Sequence, residues 1–396
     1  MILPMAEATR GILFTAFERS GDEHAAPVIR QIKKLRPDLR IWALGGPEMA
    51  QAGAERIEAT TGKAAMLLGA AAQALEHKRR VERLARWLDG HPLAVLVPVD
   101  SPAANWSICA LIRRRQPETR IVHLVAPQLW AWGSWRAAKL RRLTDRVLCL
   151  LPFEPAWFAA RGVPATYVGH PAFEAAPEAP PELPPESPAG AGRPRLALLP
   201  GSRMGEINAN WPMMLEVYQQ LRDRHAGLTA VVAAVDEPIA ARVRELTAGA
   251  LPAEDWSGAL RMTVARTPGV LAWCDLALVV SGTATLHVAL RRKPMVVVYN
   301  ASRLAWNLAG RWIIHTRTFT LPNVLSEAAG AGRVVPEFVP HFRQVAPVRE
   351  AVERLITDEQ AAAAQLAALD RIAASLAHPP YSVTAAAQIL EGLASS

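Results

Sequence analysis

Short apolar runs, each closed by a turn and followed by a helical pattern, recur along most of this chain, on both sides of one segment that can join neither pattern. That segment, residues 174–194, reads EAAPEAPPELPPESPAGAGRP. Proline at this density removes backbone donors and excludes both a helix interior and a central strand, leaving a semi-extended linker. Before it, Ile12 to Ala16, Ile41 to Leu44, Leu93 to Val97, Ile121 to Val125 and Arg146 to Leu151 read as strands. After it come strands at Leu196 to Leu199, Thr229 to Ala234, near Met262, and at Leu276 to Val280 and Met295 to Val298, with helical patterns between them. Strands alternating with helices specify parallel sheets covered on both faces. The expected fold is therefore α/β, with two doubly wound, Rossmann-like domains at residues 1–173 and 195–396 and a cleft between them. The last helices are free to return to the first domain.

The length of 396 residues suits two such domains. A hydrophobic fraction of 51% with 20% charged residues describes a folded chain rather than a disordered one. The net charge of +8 favours anionic partners without choosing among them. Cys109, Cys149 and Cys274 stand singly in apolar patterns and read as buried thiols of a reducing compartment, and no His/Cys cluster has metal-ligand spacing. No apolar stretch reaches the length of a membrane span. The sequence thus reads as cytoplasmic, either soluble or held peripherally at a membrane surface. The apolar stretch Ala64 to Leu75 and the basic run His77 to Trp87 supply an amphipathic surface for the latter, although a solvated helix explains the run as well.

In open α/β sheets, functional groups gather beyond the carboxyl ends of the strands. Two turns of the second half lie there. Gly201, Ser202, Arg203 and Glu206 open a helix after the strand at Leu196, and Ser281, Gly282, Thr283, Ala284 and Thr285 open another after Val280. Helix amino ends offer backbone N–H groups and positive dipole ends to an anion, and Arg203 adds a guanidinium fork suited to phosphate. Two such turns in one domain describe a diphosphate site. In the first half Asp100 directly follows a strand, where it reads either as a general base or as a helix cap. Glu18 and Asp22 flank Ser20 and Gly21 in the same way. Trp130 and Trp132, one residue apart, read either as core or as one face lining a sugar or acyl-chain site. His170 reads as a structural hinge.

These residues carry a resemblance. AFERSGD at Ala16, GGPEM at Gly45, DSP at Asp100, PQLWAW at Pro127, LPFE at Leu151, VGHP at Val168, LLPGSRMGEI at Leu198, SGTATL at Ser281, LPN at Leu321 and PEF at Pro336 occur in order. Together they resemble the lipid-A-disaccharide synthase family, inverting glycosyltransferases of the GT-B type. The resemblance implies transfer of a diacylglucosamine from its UDP form to the 6-hydroxyl of diacylglucosamine 1-phosphate, without a metal or other cofactor. It makes Asp100 the base, places Glu18, Ser20, Gly21, Asp22, Asn105, Trp130 and Trp132 on the acceptor side, and assigns the donor to Arg203, the two helix starts and Asn323. The implied partners are a UDP-sugar, a glycolipid acceptor and a membrane surface; a homodimer is compatible, and no nucleic-acid-binding motif is present.

The chain departs from the family pattern at four places. His287 stands where the family has a glutamate expected to hold ribose hydroxyls; Ala103 and Ala104 replace an acid and an aromatic; Phe17 replaces a glycine; and Pro340 replaces a glutamine. These changes define two rival readings. One is a glycosyltransferase with another donor or lipid acceptor, and the other is a silent relative that binds nucleotide sugar.

Overall fold

The computed structural model describes residues 10–60, 70–174, 192–248, 250, 258–300, 318–391 and 393. The 174–194 linker falls largely outside them, as does the first half of the Ala64–Leu75 stretch; the segment Ser302 to Ile314, which also reads as helical in the sequence, falls wholly outside them. The chain divides into two compact units, Met1–Glu174 with Leu376–Ser396, and Ala175–Ser375.

In the first unit β1 (Gly11–Thr15), β2 (Ile41–Gly45), β3 (Glu55–Ala59), β4 (Leu93–Pro98), β5 (Arg120–Leu124), β6 (Arg146–Cys149) and β7 (Ala165–Tyr167) form one sheet in the order β3-β2-β1-β4-β5-β6-β7. Every pairing is parallel. The connecting helices are α1 (Arg19–Leu35), α2 (Pro47–Gln51), α3 (Ala70–Trp87), α4 (Pro102–Arg115), α5 (Ala137–Leu143), α6 (Glu154–Ala159) and α7 (Pro171–Glu174). The strands read as unbroken apolar runs because both faces are covered. One face, with Phe14, Val95, Val97, Val122 and Leu124, packs on α1 residues such as Val28 and Ile29. The other, with Leu13, Leu96 and Ile121, packs on α4 through Trp106, Ile108, Cys109 and Ile112.

The second unit repeats this plan. Its strands β8 (Arg195–Leu199), β9 (Thr229–Ala234), β10 (Leu260–Val264), β11 (Leu276–Val280), β12 (Met295–Val298) and β13 (Glu337–Phe338) are all parallel, in the order β10-β9-β8-β11-β12-β13. Helices α8 (Met204–Arg224), α9 (Glu237–Thr247), α10 (Thr267–Trp273) and α11 (Ala284–Leu290) connect them, and helices Leu321–Ala328, Val345–Thr357 and Glu359–Leu376 follow. In both sheets strand order reverses beside the first strand, between β1 and β4 and between β8 and β11. That is the topological switch point of the doubly wound fold.

The terminal helix Tyr381–Leu390 belongs to the first unit. Tyr381, Ala385, Ala386 and Ile389 are fully buried in the same cluster as α1, and the Tyr381 hydroxyl donates to the carbonyl of His24 at 2.8 Å. Arg120 and Arg146 both donate to Gln388, the first to its carbonyl and the second to its side chain. The VGHP turn packs against the residues that lead into this helix. Gly169 has φ +86°, and a Cβ there would lie 2.0 Å from the carbonyl oxygen of Pro379. His170, 5% exposed, accepts from the N–H of Ala172 through Nδ1, a bond local to the turn. Gly169→Ala is therefore expected to lower stability by about 2 kcal/mol or more, from left-handed strain plus displacement of the terminal helix. Chemical denaturation of wild type and variant checks this.

Candidate active site

Two pairs of turns flank the two switch points. In the first unit they are residues 16–22, after β1, and Val99 to Asn105, after β4. Asp100 and Ser101 are both left-handed, with φ 46° and 35°, a costly conformation for side chains of this kind. Ser101, not Asp100, is the N-cap of α4, so the carboxylate is not explained as a helix cap. What holds the strained pair is Asn105. This residue is completely buried, its Nδ2 donates to the carbonyls of Val99 at 3.1 Å and Asp100 at 2.9 Å, and its Oδ1 accepts from the Thr15 hydroxyl at 2.7 Å. The amide thus ties the end of β1 to the end of β4. Asn105, which the sequence assigned to the acceptor side, is here a brace beneath Asp100.

Asp22 is likewise a brace. It is 1% exposed and lies in the first turn of α1. Its carboxylate accepts from the N–H groups of Gly46 at 2.9 Å, Glu48 at 3.0 Å and Met49 at 3.1 Å. Those are the unpaired donors at the start of α2, so a side chain from one helix caps the next. The AFERSGD and GGPEM motifs are two halves of this one contact. Gly21 is buried, and a Cβ there would lie 3.1 Å from that of Ala16 and 3.6 Å from the carbonyl oxygen of Val99, so its smallness seats α1 against the strand ends. Ser20 is half-buried. Glu18, the N-cap of α1, makes no side-chain cap and is exposed at this switch point.

Trp130 and Trp132 make separate contacts. Trp130 packs on Phe153 with ring centroids 5.2 Å apart, and its indole N–H donates to Glu154 Oε1 at 3.0 Å. Trp132 is 48% exposed and carries the Arg136 guanidinium 3.8 Å above its ring. Glu154, in the LPFE motif, is 2% exposed and also accepts from the N–H of Leu151 at 3.0 Å. Burial pushes its carboxyl up to about 7, against the opposing effect of these donors.

In the second unit the start of α8 differs from expectation. The carboxylate of Glu206 turns back and accepts from the N–H groups of Ser202 at 2.9 Å and Arg203 at 3.3 Å, and its other oxygen pairs with the Arg203 guanidinium at 2.9 Å. A reciprocal capping box therefore already engages donors that sequence reasoning reserved for an external anion. Gly201, with φ +110°, makes room for it, since a Cβ there would meet Glu206 Oε2 at 2.7 Å. Arg203 itself, the N-cap, keeps a side chain 72% exposed.

The second turn is more open. Gly282 has φ +154° with nothing within 4 Å of where a Cβ would lie, and Thr283 beside it is exposed. Thr285 donates to the carbonyl of Gly282 at 2.7 Å, and Ser281 donates to the carbonyl of Phe319 at 3.0 Å, joining this turn to the start of the Leu321–Ala328 helix. Ala284 begins α11 and His287 is exposed on it.

Asn323, expected to meet the donor, is fully buried. Its Oδ1 accepts from the N–H groups of Val334 and Val335, and its Nδ2 donates to the carbonyl of Val335. All the atoms that would read a uridine are engaged by the chain itself.

Two further braces lie in this unit. Glu337 of the PEF motif accepts from the N–H of Thr320 at 3.1 Å, at the amino end of the helix that carries Asn323. His341, 2% exposed, contacts Asn210 Oδ1 through Nε2 at 3.1 Å, and Asn210 in turn donates to the carbonyl of Glu206 at 2.7 Å. Burial and Arg343 hold the His341 imidazole down at about 4. Only the structure reveals them, because each joins segments far apart in the chain.

Two outcomes follow from the first-unit geometry. Asp22→Asn, which cannot accept three backbone donors as a charged carboxylate does, is expected to cost about 2–3 kcal/mol in urea denaturation. Glu154 retains its proton in the folded chain at pH values where the unfolded chain has released it. Stability is therefore expected to fall as pH rises from the ordinary carboxylate range toward 7. Comparing denaturation midpoints across that window should show a flatter profile in Glu154→Gln.

The comparisons with known proteins agree with this architecture. The family model described as lipid-A-disaccharide synthetase matches residues 12–389. A lipid-A-disaccharide synthase of Anaeromyxobacter dehalogenans (strain 2CP-C) is 36% identical over 391 residues, covering 96% of this chain and 97% of the relative. Among solved structures, S. aureus MnaA in its co-structure with UDP superposes with a TM-score of 0.63 at 12% identity, over 96% of this chain and 94% of that one. The glycotransferase of kitacinnamycin does so with a TM-score of 0.62 at 15% identity, over 97% and 99%. At such identities these two structures speak for the fold alone, the GT-B arrangement of two Rossmann-like sheets. The family follows from the match along almost the whole sequence: this chain belongs to the lipid-A-disaccharide synthetase family.

Proposed function

We propose that this chain transfers 2,3-diacylglucosamine from its UDP form to the 6-hydroxyl of 2,3-diacylglucosamine 1-phosphate, giving the lipid A disaccharide and UDP. Family membership supports the reaction. The observation that carries the assignment of residues is topological: the strained Asp100 turn and the open Ser281–Thr285 turn each sit at the switch point of their own sheet, where doubly wound folds bind ligands.

In this reading Asp100 accepts the proton of the acceptor hydroxyl as its oxygen attacks the anomeric carbon. The bond to UDP breaks on the opposite face and the configuration inverts. Glu18, exposed beside the same switch point, orients the acceptor. Negative charge grows on the departing diphosphate. Arg203 and the backbone of Thr283 and Ala284, ahead of the Thr285, Leu286 and His287 N–H groups that bond to Gly282 and Thr283, stabilise it, with Ser281 and Thr285 holding that turn in shape. Ser202 and Glu206 shape the Arg203 turn instead of binding phosphate directly. His287, exposed on α11, meets the ribose, where a neutral imidazole offers one acceptor nitrogen against the two oxygens of a glutamate.

Among the described residues no helix is long and apolar enough to cross a membrane. The lipid substrates call for attachment at the inner face of the cytoplasmic membrane, and exposed Trp132 and Trp135, with Arg136 next to them in the chain, are suited to an interfacial contact.

The direct experiment is to incubate the purified protein with both substrates and detect the disaccharide 1-phosphate by mass spectrometry. Formation by wild type, with kcat reduced roughly 10²–10⁴-fold in Asp100→Asn and binding of UDP retained, is the expected outcome. Unimpaired turnover in Asp100→Asn would remove it as the base. Calorimetric titration with UDP, ADP and GDP checks the donor: binding selective for UDP and weakened by Arg203→Ala is expected.

A further inference from the structure

Trp106 lies four residues beyond Pro102, the first residue of α4, about 6 Å of helix rise from the Asp100 turn. Its side chain packs in the core and is 8% exposed, yet its indole N–H has no hydrogen-bond partner among the described residues. The buried Ser101 hydroxyl, at the same end of the helix, has none either. Burying a donor without an acceptor is unfavourable, and native chains rarely do so without a reason.

Two cations stand over the same indole. Lys139 Nζ is 4.6 Å from the ring centroid, and the Arg136 guanidinium is 5.9 Å from it. Arg136 is held in place, donating to the carbonyls of Gly133 and Trp132 while covering the Trp132 ring. Arg113 and Arg115, further along α4, pair with Asp145 and Asp89. Among the described residues, no carboxylate pairs with either Arg136 or Lys139. Two like charges beside one ring and an unmet N–H donor favour an anion there.

We propose that Trp106, Arg136 and Lys139 form the subsite for the phosphate monoester of the acceptor. This rests on the reaction assigned above, in which the acceptor carries a phosphate at one end of its sugar and the reactive hydroxyl at the other. The base and the phosphate subsite must then stand apart, and the start and second turn of α4 provide that separation. Lys139 and Arg136 supply charge, and the indole N–H adds a fixed donor beneath them. Trp106 sits on the helix that the Asp100 turn opens, so seating the phosphate against it sets the position of the hydroxyl.

The test is steady-state kinetics of the full chain in neutral detergent micelles and, in parallel, on vesicles containing anionic phospholipid. The acceptors are 2,3-diacylglucosamine 1-phosphate and the same sugar without phosphate. Lys139→Met keeps the side-chain stem over the indole and removes the charge; Trp106→Phe keeps a ring and removes the donor. Each is expected to raise KM for the phosphorylated acceptor about tenfold or more, to leave the donor KM unchanged, and to leave kcat/KM for the phosphate-free acceptor within about twofold. Lys139→Arg should restore most of the loss. Equal losses on both acceptors, or none in Lys139→Met, overturn the subsite. So does a Lys139→Met defect seen only on vesicles containing anionic phospholipid, which would make the cations readers of membrane headgroups. If wild type transfers to neither acceptor, the reaction assigned above fails and the subsite fails with it. Transfer without discrimination by the variants removes the subsite alone.

Discussion

Parallel strands end side by side, and each turn leading away from them leaves backbone donors and acceptors that no ladder can satisfy. In both units this chain meets that demand with a few buried or half-buried side chains: Asp22 at the start of α2, Asn105 behind the Asp100 turn, Glu206 at the start of α8, and Asn323 and Glu337 around the Leu321–Ala328 helix. Each serves backbone from another element or turn. The loops that face substrate are consequently set by polar contacts underneath them, whereas the sheets themselves rest on apolar packing. An uncompensated loss of one such contact leaves several buried groups unpaired together, so these positions are intolerant out of proportion to their size.

The same feature explains how much was legible in the sequence. Strand runs such as Leu196 to Leu199 and Leu276 to Val280 are apolar without alternation, and the turns after them contain Gly, Ser and Pro. This is enough to specify parallel sheets and to locate the ends where ligands bind. Motif order was enough for the family. Residue type alone could not separate a side chain that touches substrate from one that touches backbone. Asp22, Asn105 and Asn323 have the chemistry of ligand-binding residues, and each is used up within its own unit. Nor does a helix amino end announce that Glu206, three residues inside it, will fold back upon it. Conversely Trp106 reads from sequence as one more core aromatic on α4, and only its unmet N–H and the cations above it set it apart.

Two of the four departures from the family pattern, at Phe17 and at Ala103 and Ala104, also look different in three dimensions. Phe17 is not simply an added bulk beside Glu18. Its ring meets His77 edge-on, with centroids 5.5 Å apart, and lies under the Arg80 guanidinium at 5.7 Å. His77 in turn contacts the hydroxyl of Ser107 at 2.7 Å, one helical turn from Ala103 and Ala104. An aromatic gained at 17 and one absent at 104 therefore belong to one neighbourhood where α3 meets α4, and the substitutions are best understood as a single change of packing.

The placement of the terminal helix bears on how the chain is made. The sheet of the first unit is encoded at the start of the sequence, but Tyr381, Ala385, Ala386 and Ile389 complete the apolar layer over α1. During synthesis from the amino end, that layer stays open until Tyr381 to Ile389 leave the ribosome. By then the second unit, encoded without interruption in between, has had its whole sequence available. The unit begun first is finished after the second, and an apolar face of α1 needs shielding until then.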